Sequence, residues 1–210
     1  MVTIGRPVQI PGVDSVTADH ETGAYEVVKH LVALGHRRIG FIGISPEDSH
    51  TLRRYCGYLK ALDQAGIQPD PQYVTGPPGA PAFATQEDGY EGMMRLARLR
   101  KSPTAVFARN DFTAIGALRA AHQLGLSVPG DIAIAGFDNI PLAAFTTPPL
   151  TTADQSILQQ GTAAARFLLD RIRQNGSIAR RSKCLSCRLI VRESTDPDAA
   201  SAPAASLLPS

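Results

Sequence analysis

Two periods alternate along this chain, and that alternation narrows the fold more than any other feature. Over residues 21–34 the apolar side chains Ala24, Val27, Val28, Leu31 and Leu34 recur at steps of three and four, the spacing of one helical face. Gly35 follows at once, the residue type that most cheaply takes the left-handed conformation in which helices end. The next apolar run, IGFIGI at residues 39–44, is short and unbroken, the mark of a strand buried on both faces. The same order returns downstream. A helix over residues 114–124 stops at Gly125, Pro129 bars its continuation, and residues 132–136 form the next buried strand. Another helix over 53–65 stops at Gly66 before a short strand near residues 73–74, and a helix over 88–100 precedes a strand at 105–108.

Strands alternating with helices of ten to fifteen residues predict crossover units, and therefore an α/β fold with a parallel sheet flanked by helices. Ligands of such sheets bind beyond the carboxyl ends of the strands. The segments to inspect are then residues 45–54, 109–111 and 137–139, each polar and each closing an apolar run. Three stretches stand apart. Residues 76–82 read as a turn-rich loop, residues 157–173 as one more helix, and residues 185–191 as a final strand. The low-complexity end, 196–210, is expected to be disordered.

Several chemistries lack their residues. There is no G-x-G-x-x-G after a strand, no phosphate loop, no G-x-S-x-G elbow and no H-E-x-x-H, so neither an enzyme nor a cofactor is indicated. His20, His30, His36, His50 and His122 lie in separate elements without ligand spacing and read as surface or capping residues, with no metal implied. Cys184 and Cys187 form a single C-x-x-C pair and read as small residues beside a strand. Three cysteines are an odd number, and no basic-then-apolar leader is visible, so the chain reads as cytoplasmic. With 21 basic and 19 acidic residues, the net charge of +2 excludes a body that grips nucleic acid by charge alone. The basic run Arg171, Arg173, Arg180, Arg181 and Lys183 reads as a solvated helix end and loop.

Seven motifs in register resemble one family. LGHRRIGFIG at 34–43 is followed by RYCGY at 54–58, PTAVFARND at 103–111 with AIGA at 114–117, and GLSVPGDI at 125–132. Then come GFD at 136–138, PLTT at 149–152 and LIVREST at 189–195. Together they resemble the lactose/galactose repressor family of bacterial transcription regulators. That resemblance implies a helix-turn-helix headpiece reading operator DNA, and a two-lobed sensor of the periplasmic-binding-protein type, usually a homodimer. A small effector, most often a sugar or related polyol and sometimes a nucleobase, binds between the lobes.

The family's pattern further implies a division of this chain. Residues 1–18 match a remnant strand of the N-terminal lobe, 19–153 the C-terminal effector-binding lobe, 154–176 a helix of the N-terminal lobe and 177–195 a return strand of the C-terminal lobe. The headpiece and most of the N-terminal lobe have no counterpart in these residues. The helix at 157–173 is therefore expected to lack a sheet to cover, and to be mobile, mispacked or buried in a partner. Effector affinity is expected to be weak, since half of the cleft wall has no counterpart either.

The implied effector contacts are Asp19, Arg54, Phe107, Asn110, Asp138 and Gln155. They suit a polyol: a carboxylate accepts from neighbouring hydroxyls, a guanidinium donates in a fixed fork, and amides do both. Asn110 and Asp111 both also suit the cap of the helix that follows, with Asp111 assigned to the cap and Asn110 to the ligand. The implied dimer surface is Ile115, Leu118, Leu142 and Phe145, residues that a core would use equally well. Two other readings stay open at this level: a solute-binding protein of the same fold, and a small α/β enzyme using Asp138 with His50 or His36.

Overall fold

A computed structural model of the protein describes residues 1–76, 85–174, 179–196 and 198–199. Most of the turn-rich segment 76–82 and nearly all of the 196–210 tail lie outside the described residues. The strands are β1 (Val2–Ile4), β2 (Asp14–Ala18), β3 (Ile39–Ile42), β4 (Val74–Thr75), β5 (Ala105–Ala108), β6 (Ala133–Asp138), β7 (Thr151–Asp154), β8 (Ser182–Leu185) and β9 (Arg188–Ile190). The helices are α1 (His20–Ala33), α2 (Ser49–Gln64), α3 (Gln86–Ala97), α4 (Asp111–Gln123) and α5 (Ile157–Arg173). Two sheets result: a large one ordered β4-β3-β5-β6-β7-β9 and a small one ordered β1-β2-β8. Every pairing is parallel except β7 with β9.

The large sheet has a core on each face because its strands are apolar throughout. Phe41, Phe107 and Phe137 pack with Val27, Val28 and Leu31 of α1 and with Tyr58 and Leu62 of α2. Ile42, Val106 and Ile134, each an odd number of residues along its strand from the phenylalanine, turn to the other side, against Met93 and Leu96 of α3 and Ala117 and Leu118 of α4. The helices pair closely where glycine removes a side chain. A Cβ on Gly57 of α2 would run into the Glu21 carbonyl of α1, and one on Gly116 of α4 into the Gln86 carbonyl of α3. The expected stops hold, with Gly35, Gly66 and Gly125 all at positive φ. Three helices start earlier than the apolar period suggested, because polar caps begin them: Asp48 for α2, Thr85 for α3 and Asn110 for α4.

The small sheet corrects two expectations. Residues 177–195 do not form one return strand: β8 joins β2 in the small sheet and β9 joins β7 in the large one, so the chain changes sheets at residues 186–187. Nor is α5 without a sheet. Its Ala163, Ala164 and Phe167 pack on Val2, Val16 and Leu185. The remainder of its apolar face is exposed, with Leu158 79% and Ile172 64% accessible.

The basic run is also more than a solvated end. Arg171 donates from Nε and Nη2 to the two carboxylate oxygens of Asp14, at 2.9 and 2.6 Å. The backbone N–H and guanidinium of Arg181 complete the grip at 2.7–3.3 Å. Burial alone would raise the Asp14 carboxyl, but these cations and the N–H hold it well below the usual carboxylate range. This one carboxylate ties β2, α5 and the approach to β8 together.

Candidate functional site

The carboxyl ends of β5, β6 and β7 meet the first turns of α1 and α2, and the polar side chains there form one connected group. Arg54, from α2, is buried at 6% exposure and donates from Nη2 to Asp138 Oδ1 at 2.9 Å. Its Nη1 donates to the Arg109 carbonyl at the end of β5. The guanidinium carbon lies 3.9 Å from the centroid of the Phe137 ring, so the cation is held over an aromatic face as well. Gln155, just past β7, donates from Nε2 to the same Asp138 oxygen at 2.9 Å. Among the described residues no hydrogen bond reaches Asp138 Oδ2.

The backbone is strained here. Asp138 sits at φ 117° and Asn139 at φ 54°, conformations that cost free energy for side chains with a Cβ. Surrounding bonds fix them: Arg192 donates to Asn139 Oδ1 at 2.9 Å, and the Asn139 N–H reaches Thr152 Oγ1 at 3.2 Å. Below this corner Asp111 is fully buried and accepts from Thr152 Oγ1 at 2.6 Å and from the Ile140 N–H at 2.8 Å. Burial pushes its carboxyl up to about 7, more than those two bonds pull it down. Asp138 is raised too: burial outweighs the Arg54 cation beside it.

Two histidines complete the group. His20, the first residue of α1, is 3% exposed. Arg54 Nε and Nη2 both lie 3.3 Å from its Nδ1. The His50 ring stacks on it at 4.6 Å, and His50 Nε2 donates to the Gly5 carbonyl at 2.9 Å, linking the large-sheet body to the end of β1. Burial, with Arg54 close by, lowers the His20 imidazole to about 3.

The structure thus brings Arg54, Asp138 and Gln155 together and treats the other expected contacts differently. Asn110 is the cap of α4, accepting from the Thr113 N–H at 2.9 Å, while Asp111 is the buried network residue, which reverses their assignments. Phe107 is wholly inside the core, edge-on to Phe41 at 5.5 Å, and offers no wall to a ligand. Asp19 spends its side chain on the Thr22 N–H of its own helix. On the implied dimer face, Leu142 and Phe145 are exposed, with Phe112 also open, and Ile115 is half-buried. Leu118 belongs to the core.

Sequence reasoning missed His20, Phe137 and Arg109, and named His50 only as an acid or base beside Asp138. The strand-end rule had already named the segments holding the last three, and Asp19 flags His20 by adjacency. The expectation of surface or capping roles fails for several histidines: His30 bonds Thr195, and His36 bonds Thr104 at the opposite end of β5 from Asp138. Among the described residues no group of three His, Cys, Asp or Glu could hold a metal. Burial pushes the Cys187 thiol up to about 12, far from a reactive thiolate. No described helix is long and apolar enough to cross a membrane.

A mostly parallel sheet with a second, smaller sheet beside it, and polar side chains converging at its strand ends, is the α/β architecture of a periplasmic-binding-protein-like fold. A family model described as periplasmic binding protein-like domain matches residues 28–195. A solved structure of a LacI-family transcriptional regulator from Sanguibacter keddieii superposes with a TM-score of 0.85 at 35% identity, covering 93% of this chain and 71% of that one. The chain belongs to this family of periplasmic-binding-protein-like domains, in its LacI branch of transcriptional regulators. A LacI-family regulator from Enterococcus faecium with bound ribose superposes with a TM-score of 0.83 at 30% identity, over 93% of this chain and 70% of that one. The repressor CytR of Escherichia coli (strain K12) is 41% identical over 181 residues, 86% of this chain and 51% of that protein. The chain spans about half the length of the curated relatives it matches.

Proposed function

We propose that this protein is the effector-sensing and self-pairing part of a ligand-responsive transcriptional repressor, and that its effector is a small sugar or related polyol. The observation that carries the reading is the Arg54–Asp138–Gln155 group at the strand ends. Both donors meet Asp138 Oδ1, which leaves Oδ2 to accept from a ligand hydroxyl. Ribose and cellobiose are bound by two relatives of this fold, which supports the same ligand class here. Charge supports the division of labour: a net +2 is too small for these residues to grip DNA by charge alone. Leu142 and Phe145, together with Ile115 and Phe112, supply the apolar side chains of the pairing face between two copies.

Binding to the folded state stabilises it by RT ln(1 + L/Kd) at free ligand concentration L, so the unfolding midpoint keeps rising as ligand concentration exceeds Kd. The test is thermal unfolding with ribose, cellobiose and free nucleobases, each raised into the millimolar range. The reading expects a rise with a sugar that is absent in Arg54→Met. No rise with either sugar, or an equal rise in Arg54→Met, contradicts it; a rise with nucleobases alone replaces the polyol by a planar base.

A further inference from the structure

A neutral imidazole in a buried site has two ring nitrogens to satisfy, and His20 satisfies one. Its Nδ1 faces two nitrogens of Arg54, and a guanidinium only donates, so Nδ1 is the acceptor and the ring proton is on Nε2. That Nε2–H is buried and, among the described residues, has no hydrogen-bond partner. Orphaned donors of this kind are rare in folded chains, because each forfeits its bond to water without a replacement. Two threonine hydroxyls, of Thr75 and Thr113, are also unpartnered, but they sit on β4 and α4 and carry no bond to the Arg54–Asp138 pair. His20 does carry one, through Arg54. Its lowered basicity keeps the ring neutral across the physiological range, and the Arg54 donors fix the tautomer.

We infer that His20 is a specificity-determining residue of the effector site, its Nε2–H donating to a ring, ether or hydroxyl oxygen of the bound molecule. The inference rests on the effector reading above and narrows it to an uncharged polyol. Arg54 is already neutralised by Asp138, and His20 supplies a donor without a charge. The two residues make complementary demands: Asp138 Oδ2 requires a hydroxyl that donates, and His20 Nε2 requires an oxygen that accepts.

The test uses the full chain with its histidine rings labelled with nitrogen-15, titrated separately with ribose and cellobiose and followed by NMR. With whichever sugar moves the backbone amides of Asp138 and Gln155, the His20 Nε2 proton shifts downfield, as a new bond to oxygen requires. Dissociation constants from the same titrations rise about three- to tenfold in His20→Phe, which keeps a flat ring without the N–H. His20→Gln, whose amide both donates and accepts, stays closer to wild type. If the sugar moves the site amides while the His20 proton stays put and His20→Phe binds equally well, the inference is overturned and the effector reading stands. If neither sugar moves any site amide, the effector reading fails and takes the inference with it. The unmutated protein supplies the decisive signal, so a poorly folding variant does not shield the inference.

Discussion

The body around the large sheet and the small β1-β2-β8 unit with α5 are stabilised by different physics. In the first, three layers enclose two apolar cores, and Phe41, Phe107 and Ile134 are fully buried. In the second, a few small residues pack on one face, and a buried carboxylate clasped by two arginines does the rest. The lesson is that a short sheet can be held in register by charge when it cannot bury enough apolar surface. Such a clasp is conditional, because either partner alone is a buried charge.

Substitutions separate the two regimes. Phe41→Ala, deleting a ring at the centre of three aromatic contacts, is expected to cost about 3–5 kcal/mol and to lower the single unfolding midpoint of the whole large-sheet body. Asp14→Asn removes the buried charge that both guanidiniums clasp and is expected to cost about 3 kcal/mol, but locally. Hydrogen exchange should show β2 and β8 amides losing protection while β5 and β6 keep theirs, and equal loss in both sheets would erase the distinction. At the small end, Leu168→Lys with Leu169→Lys should change stability by no more than about 0.5 kcal/mol, since both side chains are about half exposed on the outer face of α5. A larger loss in the urea midpoint would mean that this face is covered.

Acidity separates the site from both. His20 binds fewer protons folded than unfolded between about pH 3 and 6.5, so its contribution is complete above pH 6.5 and is lost as pH falls through that window. Asp111 runs the other way. Its carboxyl, raised to about 7, binds more protons in the folded state from about pH 4 to 7, so its contribution to stability declines as pH rises through that range. Tyrosine-detected unfolding against pH should therefore lose slope on the acid side in His20→Gln and near neutrality in Asp111→Asn. The chain has no tryptophan to obscure the signal.

Much of this architecture was legible in the residues, for local reasons. Gly35, Gly66 and Gly125 ended their helices because a left-handed residue must follow, and IGFI and AVFA read as strands because nothing polar interrupts them. What escaped depended on distant partners. The run at 185–191 reads as one strand, and only the competing edges of β2 and β7 split it between sheets. A strand buried on both faces does not announce which face each residue takes, so Phe107 was assigned to the ligand when Phe137 is the ring beneath Arg54. Asn110 and Asp111 are both capping types, and only the position of Thr152 draws Asp111 inward. His20 carried no motif at all; its role comes from Arg54, 34 residues away in the chain.

The central claim is that Arg54, Asp138 and Gln155 form an effector site, and a structure of the protein soaked in ribose or cellobiose tests it most directly. The account predicts sugar density with a hydroxyl within hydrogen-bond distance of Asp138 Oδ2 and the Arg54–Asp138 pair intact. Sugar bound only elsewhere on the chain, with the strand ends of β5 and β6 unoccupied, would contradict it.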